Sequence, residues 1–161
     1  MTTNQPAPAF TEIMQIAICV RDLDATIQRY EDDFGIGPWT RWDTSPESFP
    51  EQYEHGQPSQ TSTRCAAVYV GSVMLEVFQP VSENSIFTQF LEEKGEGVHH
   101  IGVRAVDYDA LIAAQVEQGN TFPLQGHIDG VDVSYLPTER DLGVLLEVFK
   151  APEGHSLNEK K

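Results

Sequence analysis

The chain has 161 residues, enough for one domain or two small fused modules, and 40% of them are hydrophobic, enough for a sizeable core. Its 10 Lys and Arg stand against 25 Asp and Glu, and the formal net charge of −15 argues against nucleic acid and against an anionic membrane surface as partners. An anionic substrate would gain no long-range attraction and would need local positive charge.

Residues 1–10 are polar, hold Pro6 and Pro8, and read as a flexible tail without the basic region or apolar core of a signal peptide. Residues 13–20 are apolar and β-branched, a buried strand. Asp22 or Asp24 then caps a helix running to about Asp33, with Ala25, Ile27 and Tyr30 as its apolar positions, ended by Gly35 and Gly37-Pro38. Residues 39–42 read as a short strand. The stretch 44–61, rich in Pro, Ser, Glu and Gln, is longer than a usual connection and reads as a lid or a mobile loop. Two strands over 64–70 and 73–79 follow, joined at Gly71-Ser72, and then a short linking helix over 82–94 ended by Gly95 and Gly97.

From there the order repeats. Residues 98–105 form a strand and 107–118 an amphipathic helix, with strands expected near 121–123, 131–136 and 144–149; the polar stretch 151–161 reads as a second tail. Cys19 and Cys65, the only cysteines, lie in apolar strand-like runs without CxxC spacing and read as buried thiols. No apolar run approaches the roughly 18 residues of a membrane span, so the expected location is the cytoplasm.

The repetition is visible residue by residue. Gln15-Ile16-Ala17-Ile18 aligns with His100-Ile101-Gly102-Val103, and the same offset sets Asp22 on Asp107, Asp24 on Asp109 and Ile27 on Ile112. Each half closes on nearly one string, Met74-Leu75-Glu76-Val77-Phe78 and Leu145-Leu146-Glu147-Val148-Phe149. An N-terminal module over 11–80, a linker helix over 81–96 and a C-terminal module over 97–150 result, each module βαβββ. A sheet covered by one helix on one face needs a partner for the other, and two such sheets wrap a shared cavity. The expected fold class is therefore α+β, two tandem βαβββ modules forming a cupped mixed sheet around a metal-centred cavity.

Strand alternation selects what faces that cavity. Ile16, Ile18 and Val20 turn to the helix, and Gln15, Ala17 and Cys19 turn inward. Ile101 and Val103 likewise face the helix, and His100, Gly102 and Arg104 the cavity. Glu76 shares a face with Met74 and Phe78, and Glu147 with Leu145 and Phe149. A carboxylate in such company is costly unless paired or bound to a metal, and two at symmetric positions favour a metal. Gln15, Glu76, His100 and Glu147 are the candidate ligands; His99 lies on the opposite face and reads as packing or as a support behind the ligands.

At these residues the chain resembles the vicinal oxygen chelate superfamily over about 13–150. The strings GEGVHHIGVRAVDYDALIAAQVEQG, MLEVFQPVSENSIFTQFLEEKGEG and GVLLEVFK are most similar to its methylmalonyl-CoA epimerase-like branch. The resemblance carries the four ligand positions onto Gln15, Glu76, His100 and Glu147, and implies a homodimer. The Gln, Glu, His, Glu order is similar to the ligand set of glyoxalase I, while the flanking motifs are not, and no glutathione-binding arginine set is evident. The epimerases' second catalytic glutamate has no clear counterpart: the count lands near Gln60, with Glu51 and Glu54 close by.

One amide, one imidazole and two carboxylates suit a divalent ion such as Zn²⁺, Ni²⁺, Co²⁺ or Mn²⁺. The expected activity is metal-dependent isomerisation or epimerisation by proton abstraction next to a carbonyl, with Glu147 or Glu76 as base. The substrate is a small molecule, with an acyl-CoA among the options. The alternatives are a glyoxalase I-like lyase or isomerase on a small oxygenated metabolite, and a resistance-type binding protein whose cavity is lined by aromatics drawn from Phe34, Trp39, Trp42, Tyr69 and Phe78. A single cavity-facing histidine disfavours iron(II) ring cleavage. Arg64 and Arg104 read as surface ion-pair partners or as contacts to an anionic substrate group.

Overall fold

The computed structural model describes residues 7–150. Of the expected tails, residues 1–6 and 151–161 lie outside the described residues. The first half runs β1 (Phe10–Cys19), α1 (Leu23–Phe34), β2 (Thr40–Thr44), β3 (Glu51–Glu54), β4 (Gln57–Pro58), β5 (Thr63–Val70) and β6 (Val73–Pro80). After α2 (Ile86–Lys94), the second runs β7 (Gly97–Ala105), α3 (Tyr108–Glu117), β8 (Leu124–Ile128), β9 (Val131–Leu136), α4 (Glu139–Leu142) and β10 (Leu145–Lys150). Among the described residues no helix is long and apolar enough to cross a membrane.

The two long repeat helices start alike. The Asp22 carboxylate accepts from Ala25 N at 2.9 Å, and the Asp107 carboxylate from Ala110 N at 3.0 Å, each satisfying an orphan amide of the first turn. At the far end of α1, Gly35 takes φ +64°, a left-handed cap that glycine adopts without cost. Leu23 and Ile27 bury the inner face of α1 against Val20, Ala66 and Val77. Leu111 and Ile112 of α3 pack on Val103 and Val148 in the same way.

The ten strands of the described residues join one curled mixed sheet, ordered β2-β5-β6-β1-β7-β10-β9-β8-β3-β4. The ladders repeat as the sequence does. β1 runs parallel to β6 with Ala17 beside Glu76, and β7 runs parallel to β10 with Gly102 beside Glu147. The halves meet where β1 and β7 pair antiparallel, which brings Gln15 next to His100 across the seam. The concave side holds a cluster including Ala17, Cys19, Cys65, Phe78, Phe87, Val133 and Tyr135. Both cysteines are buried thiols, and burial pushes Cys19 up to about 12.

Several expectations are corrected. The segment 44–61 is not a free lid. It carries the β3–β4 hairpin, which crosses to the other half and pairs with β8, Glu51 against His127 and Glu54 against Leu124. Polar residues with no alternating apolar pattern concealed a strand held by edge pairing. Glu54 anchors it: its carboxylate accepts from Ser59 Oγ, Thr61 Oγ1 and the Ile86 amide at the start of α2. The short strand expected at 39–42 lies at Thr40–Thr44, the strand near 121–123 starts at Leu124, and the linking helix starts at Ile86 behind Ser85, whose hydroxyl accepts from Thr88 N. Arg104, near the end of β7, lies outside the cavity lining and is ion-paired with Glu12 at 2.7 Å. Arg64 is also on the outside, sharing Asp24 with Arg41.

Candidate functional site

The cup holds a half-open cavity of about 130 Å³, and all four candidate ligands line it. Gln15, Glu76, His100 and Glu147 are buried, each presented by a central strand of the sheet. Gln15 Nε2 lies 3.1 Å from Glu76 Oε2 and 3.2 Å from His100 Nε2. His100 Nε2 lies 3.2 Å from Glu147 Oε2. That last contact is not a hydrogen bond: Glu147 Oε2 is the one buried side-chain polar atom, among the described residues, that has no hydrogen-bond partner.

Behind His100 stands His99, on the face turned to α2. The two Nδ1 atoms are 2.9 Å apart, so one of them carries the proton. Burial, together with the neighbouring His100 and Lys94, holds His99 well below the usual imidazole range, which makes it neutral and able to accept. With the proton on His100 Nδ1, Nε2 keeps its lone pair turned into the cavity, the arrangement a ligating imidazole needs. His99 is packed between Phe78, Phe87 and Phe90, ring centroids 4.9–5.7 Å apart. His99 is therefore not on the face opposite His100, as alternation predicts: β7 bulges at His99 in its ladder with β1, and both rings turn to the same side, against Phe78.

The donor set fits a divalent cation. A lone pair on His100 Nε2 facing an unpartnered carboxylate oxygen at 3.2 Å is repulsive until a positive charge joins them. Ligands about 2.1 Å from one ion stand roughly 3.0–3.4 Å from each other, the range of these contacts. The Gln15 amide reaches the same point with its oxygen after a half-turn of the last torsion. Among the described residues no three His, Cys, Asp or Glu side chains form a metal-holding cluster by themselves. The amide, outside that class, is the group that both Glu76 and His100 approach.

The walls hold residues that strand alternation alone did not single out. Tyr135 is buried, with its hydroxyl 3.5 Å from His100 Nε2 and its ring centroid 4.8 Å from the imidazole. Burial, then the charges of Glu147 and Glu76, push its phenol well above the usual range, so it stays protonated as a donor. Reading residues 131–136 against 63–70 was the signal that would have found it. Phe49 and Gln52, from the crossing hairpin segment, close the far side, and Gln52 Nε2 donates to Thr61 O at 3.3 Å. Of the proposed aromatic lining, Trp42 and Phe78 face the cavity. Phe34 and Tyr69 are exposed, and Trp39 packs on Tyr30 under α1.

The profile of the glyoxalase/bleomycin resistance protein/dioxygenase superfamily matches residues 14–135. YqjC, an uncharacterised protein of Bacillus subtilis (strain 168), is 34% identical over 93 residues, 55% of this chain, and the chain spans only 65% of that relative. A methylmalonyl-CoA epimerase solved in complex with methylmalonyl-CoA and NH4+ superposes with a TM-score of 0.63 at 25% identity, covering 91% of this chain and 99% of that one. Hypothetical protein BH1468 from Bacillus halodurans C-125 superposes with a TM-score of 0.65 at 22% identity, covering 90% and 97%, and supports the fold alone.

Proposed function

The chain belongs to the glyoxalase/bleomycin resistance protein/dioxygenase superfamily, and on that premise we propose that it is a divalent-metal-dependent isomerase or epimerase acting by proton abstraction next to a carbonyl. The observation that carries the reading is Glu147: a buried carboxylate whose Oε2 has no hydrogen-bond partner and faces the cavity beside His100. Likeness to an epimerase crystallised with an acyl-CoA supports a carbonyl substrate.

Gln15, Glu76, His100 and Glu147 would hold the ion, and Zn²⁺, Ni²⁺, Co²⁺ and Mn²⁺ all suit this donor set. When bound, such an ion stabilises negative charge developing on a carbonyl oxygen. Glu147 takes the proton from the adjacent carbon, and the electron pair of the broken C–H bond passes into the carbonyl group. Return of the proton to the opposite face, or to the neighbouring carbon, gives an epimer or an isomer with no redox change. Glu76 Oε2 lies 3.1 Å from the Gln15 amide, a spacing that suits both as ligands of one ion. Phe78, Phe87 and Phe149 supply apolar walls that exclude water from the intermediate.

The test is metal analysis of protein purified without chelator, followed by solvent deuterium exchange into methylmalonyl-CoA and into dihydroxyacetone, with and without added metal. Metal-dependent incorporation is the expected result. Oxygen uptake by an iron(II)-loaded protein with a catechol would overturn the non-redox reading. The small volume of about 130 Å³ also favours a second reading, a glyoxalase-like lyase or isomerase on a small oxygenated metabolite; exchange confined to dihydroxyacetone would select it. A homodimer belongs to the same proposal, and light scattering at the monomer mass across micromolar concentrations would count against it.

A further inference from the structure

The crossing stretch 45–58 holds two aromatic residues and buries one of them: Tyr53 is 44% exposed and Phe49 8%. Two sets of bonds fix where Phe49 stands. On one side a tight turn closes on itself, with Phe49 N donating to Ser45 O at 2.8 Å and Ser45 N to Ser48 Oγ at 2.9 Å. On the other, Glu51 and Gln52 pair with His127 and Gly126 of β8. The ring lands on Gly126. A Cβ built there would lie 2.3 Å from ring atom Cε2 and 2.4 Å from Cζ, so glycine leaves the seat that the phenyl group takes. Leu124 and Ile128 share that face of β8 by alternation, and both line the cavity with Phe49.

We infer that Phe49 is a specificity-determining residue: its ring, seated on Gly126, limits the site to a small carbonyl substrate. The inference rests on the proton-abstraction reading above and chooses between a small metabolite and an acyl-CoA. Phe49 lines the same cavity as Glu147 and His100, so the ring fills space that a substrate held by those residues would otherwise take. The cavity measures about 130 Å³, and removing one large apolar side chain opens room on the order of 150 Å³. The two volumes are comparable, so the ring decides which compounds fit. It cannot withdraw toward the sheet, because the β8 backbone at Gly126 already lies against it. A wall of this kind discriminates by size, since an apolar pocket rejects each surplus carbon by sterics alone.

The test is solvent deuterium exchange by the metal-loaded full chain into dihydroxyacetone, erythrulose, xylulose and methylmalonyl-CoA. For the three ketoses we expect kcat/KM of the unsubstituted protein to fall roughly tenfold or more per added carbon. Phe49→Ala should raise the ratio of xylulose to dihydroxyacetone roughly tenfold or more, chiefly through KM. Loss of structure alone would lower every value together and leave that ratio where it was. Phe49→Leu should fall between, and it serves if Phe49→Ala does not fold. An unchanged ratio in a folded variant overturns the inference, as does exchange into methylmalonyl-CoA as fast as into dihydroxyacetone by the unsubstituted protein. A second readout needs neither metal nor turnover. Trp42 lines the same cavity, and Trp39 is the other tryptophan. In a Trp39→Phe background, acrylamide quenching of Trp42 follows access to the cavity. Removing the Phe49 ring should raise the quenching constant, and an unchanged constant overturns the inference. If the unsubstituted protein exchanges none of the compounds, the proposed reaction falls, and quenching alone decides whether Phe49 closes the cavity.

Discussion

Gln15 and Gly102 face each other across the β1–β7 seam, and a Cβ built on Gly102 would lie 2.8 Å from Gln15 Cβ and 3.1 Å from the Phe149 ring. The missing side chain at 102 is what lets the amide stand over the cavity floor. Gly102→Ala should therefore displace Gln15 and press on Phe149. The expected cost is about 1–3 kcal/mol of stability, as for other overpacked cores, together with weaker metal binding. Thermal unfolding and calorimetric metal titration would check both; an unchanged metal affinity would remove Gln15 from the ligand set.

His100→Ala should lose metal and activity together, measured as metal content per chain after dialysis. His99→Phe keeps an aromatic ring in its pocket but removes the partner of His100 Nδ1. Losing such a support should weaken Zn²⁺ affinity roughly 10–100-fold without abolishing it. Full metal occupancy in His100→Ala would shift the ligand role to His99.

Glu147→Gln keeps an amide oxygen for the metal and removes a base. Turnover should fall by about 100-fold or more, while metal content changes far less. Losses of equal size would make Glu147 a ligand only and pass the base role to Glu76. Glu54 cannot take it over while its carboxylate is spent on the hairpin and on α2.

Asp24, held by Arg41 and Arg64, has its carboxyl lowered chiefly by the hydrogen bonds from those guanidinium groups. Its contribution to stability is present above the ordinary carboxylate range and is lost as the pH falls through the depressed value. In urea unfolding, Asp24→Asn should lie below the unsubstituted protein at pH 7, and the gap should narrow toward pH 3. The gap itself should be small, since the ion pairs are exposed.

Much of this site was legible in the chain because the duplication wrote it twice. Two aligned strings placed Gln15 with His100 and Glu76 with Glu147, and strand alternation turned all four inward. Other features were beyond such reasoning. Arg104 lies one residue from the end of β7, beyond the cavity, where it pairs with Glu12. The hairpin pairs with a strand far along the chain, so no local pattern announces it. Tyr135 was passed over because the search compared only positions alike in the two halves, and its ladder counterpart is Ala67.

The crossing hairpin also bears on how the two halves can be separated. Strand β3, made of residues from the first half, is the hydrogen-bonded cover of β8 in the second. A gene cut between α2 and β7 would not release two self-sufficient pieces. The C-terminal fragment would present β8 as a bare edge open to pairing with other chains, and the N-terminal fragment would carry a hairpin with nothing to dock on. Co-expressed, each piece would find in the other the strand it lacks, so complementation in trans, and not independent folding, is what this architecture permits.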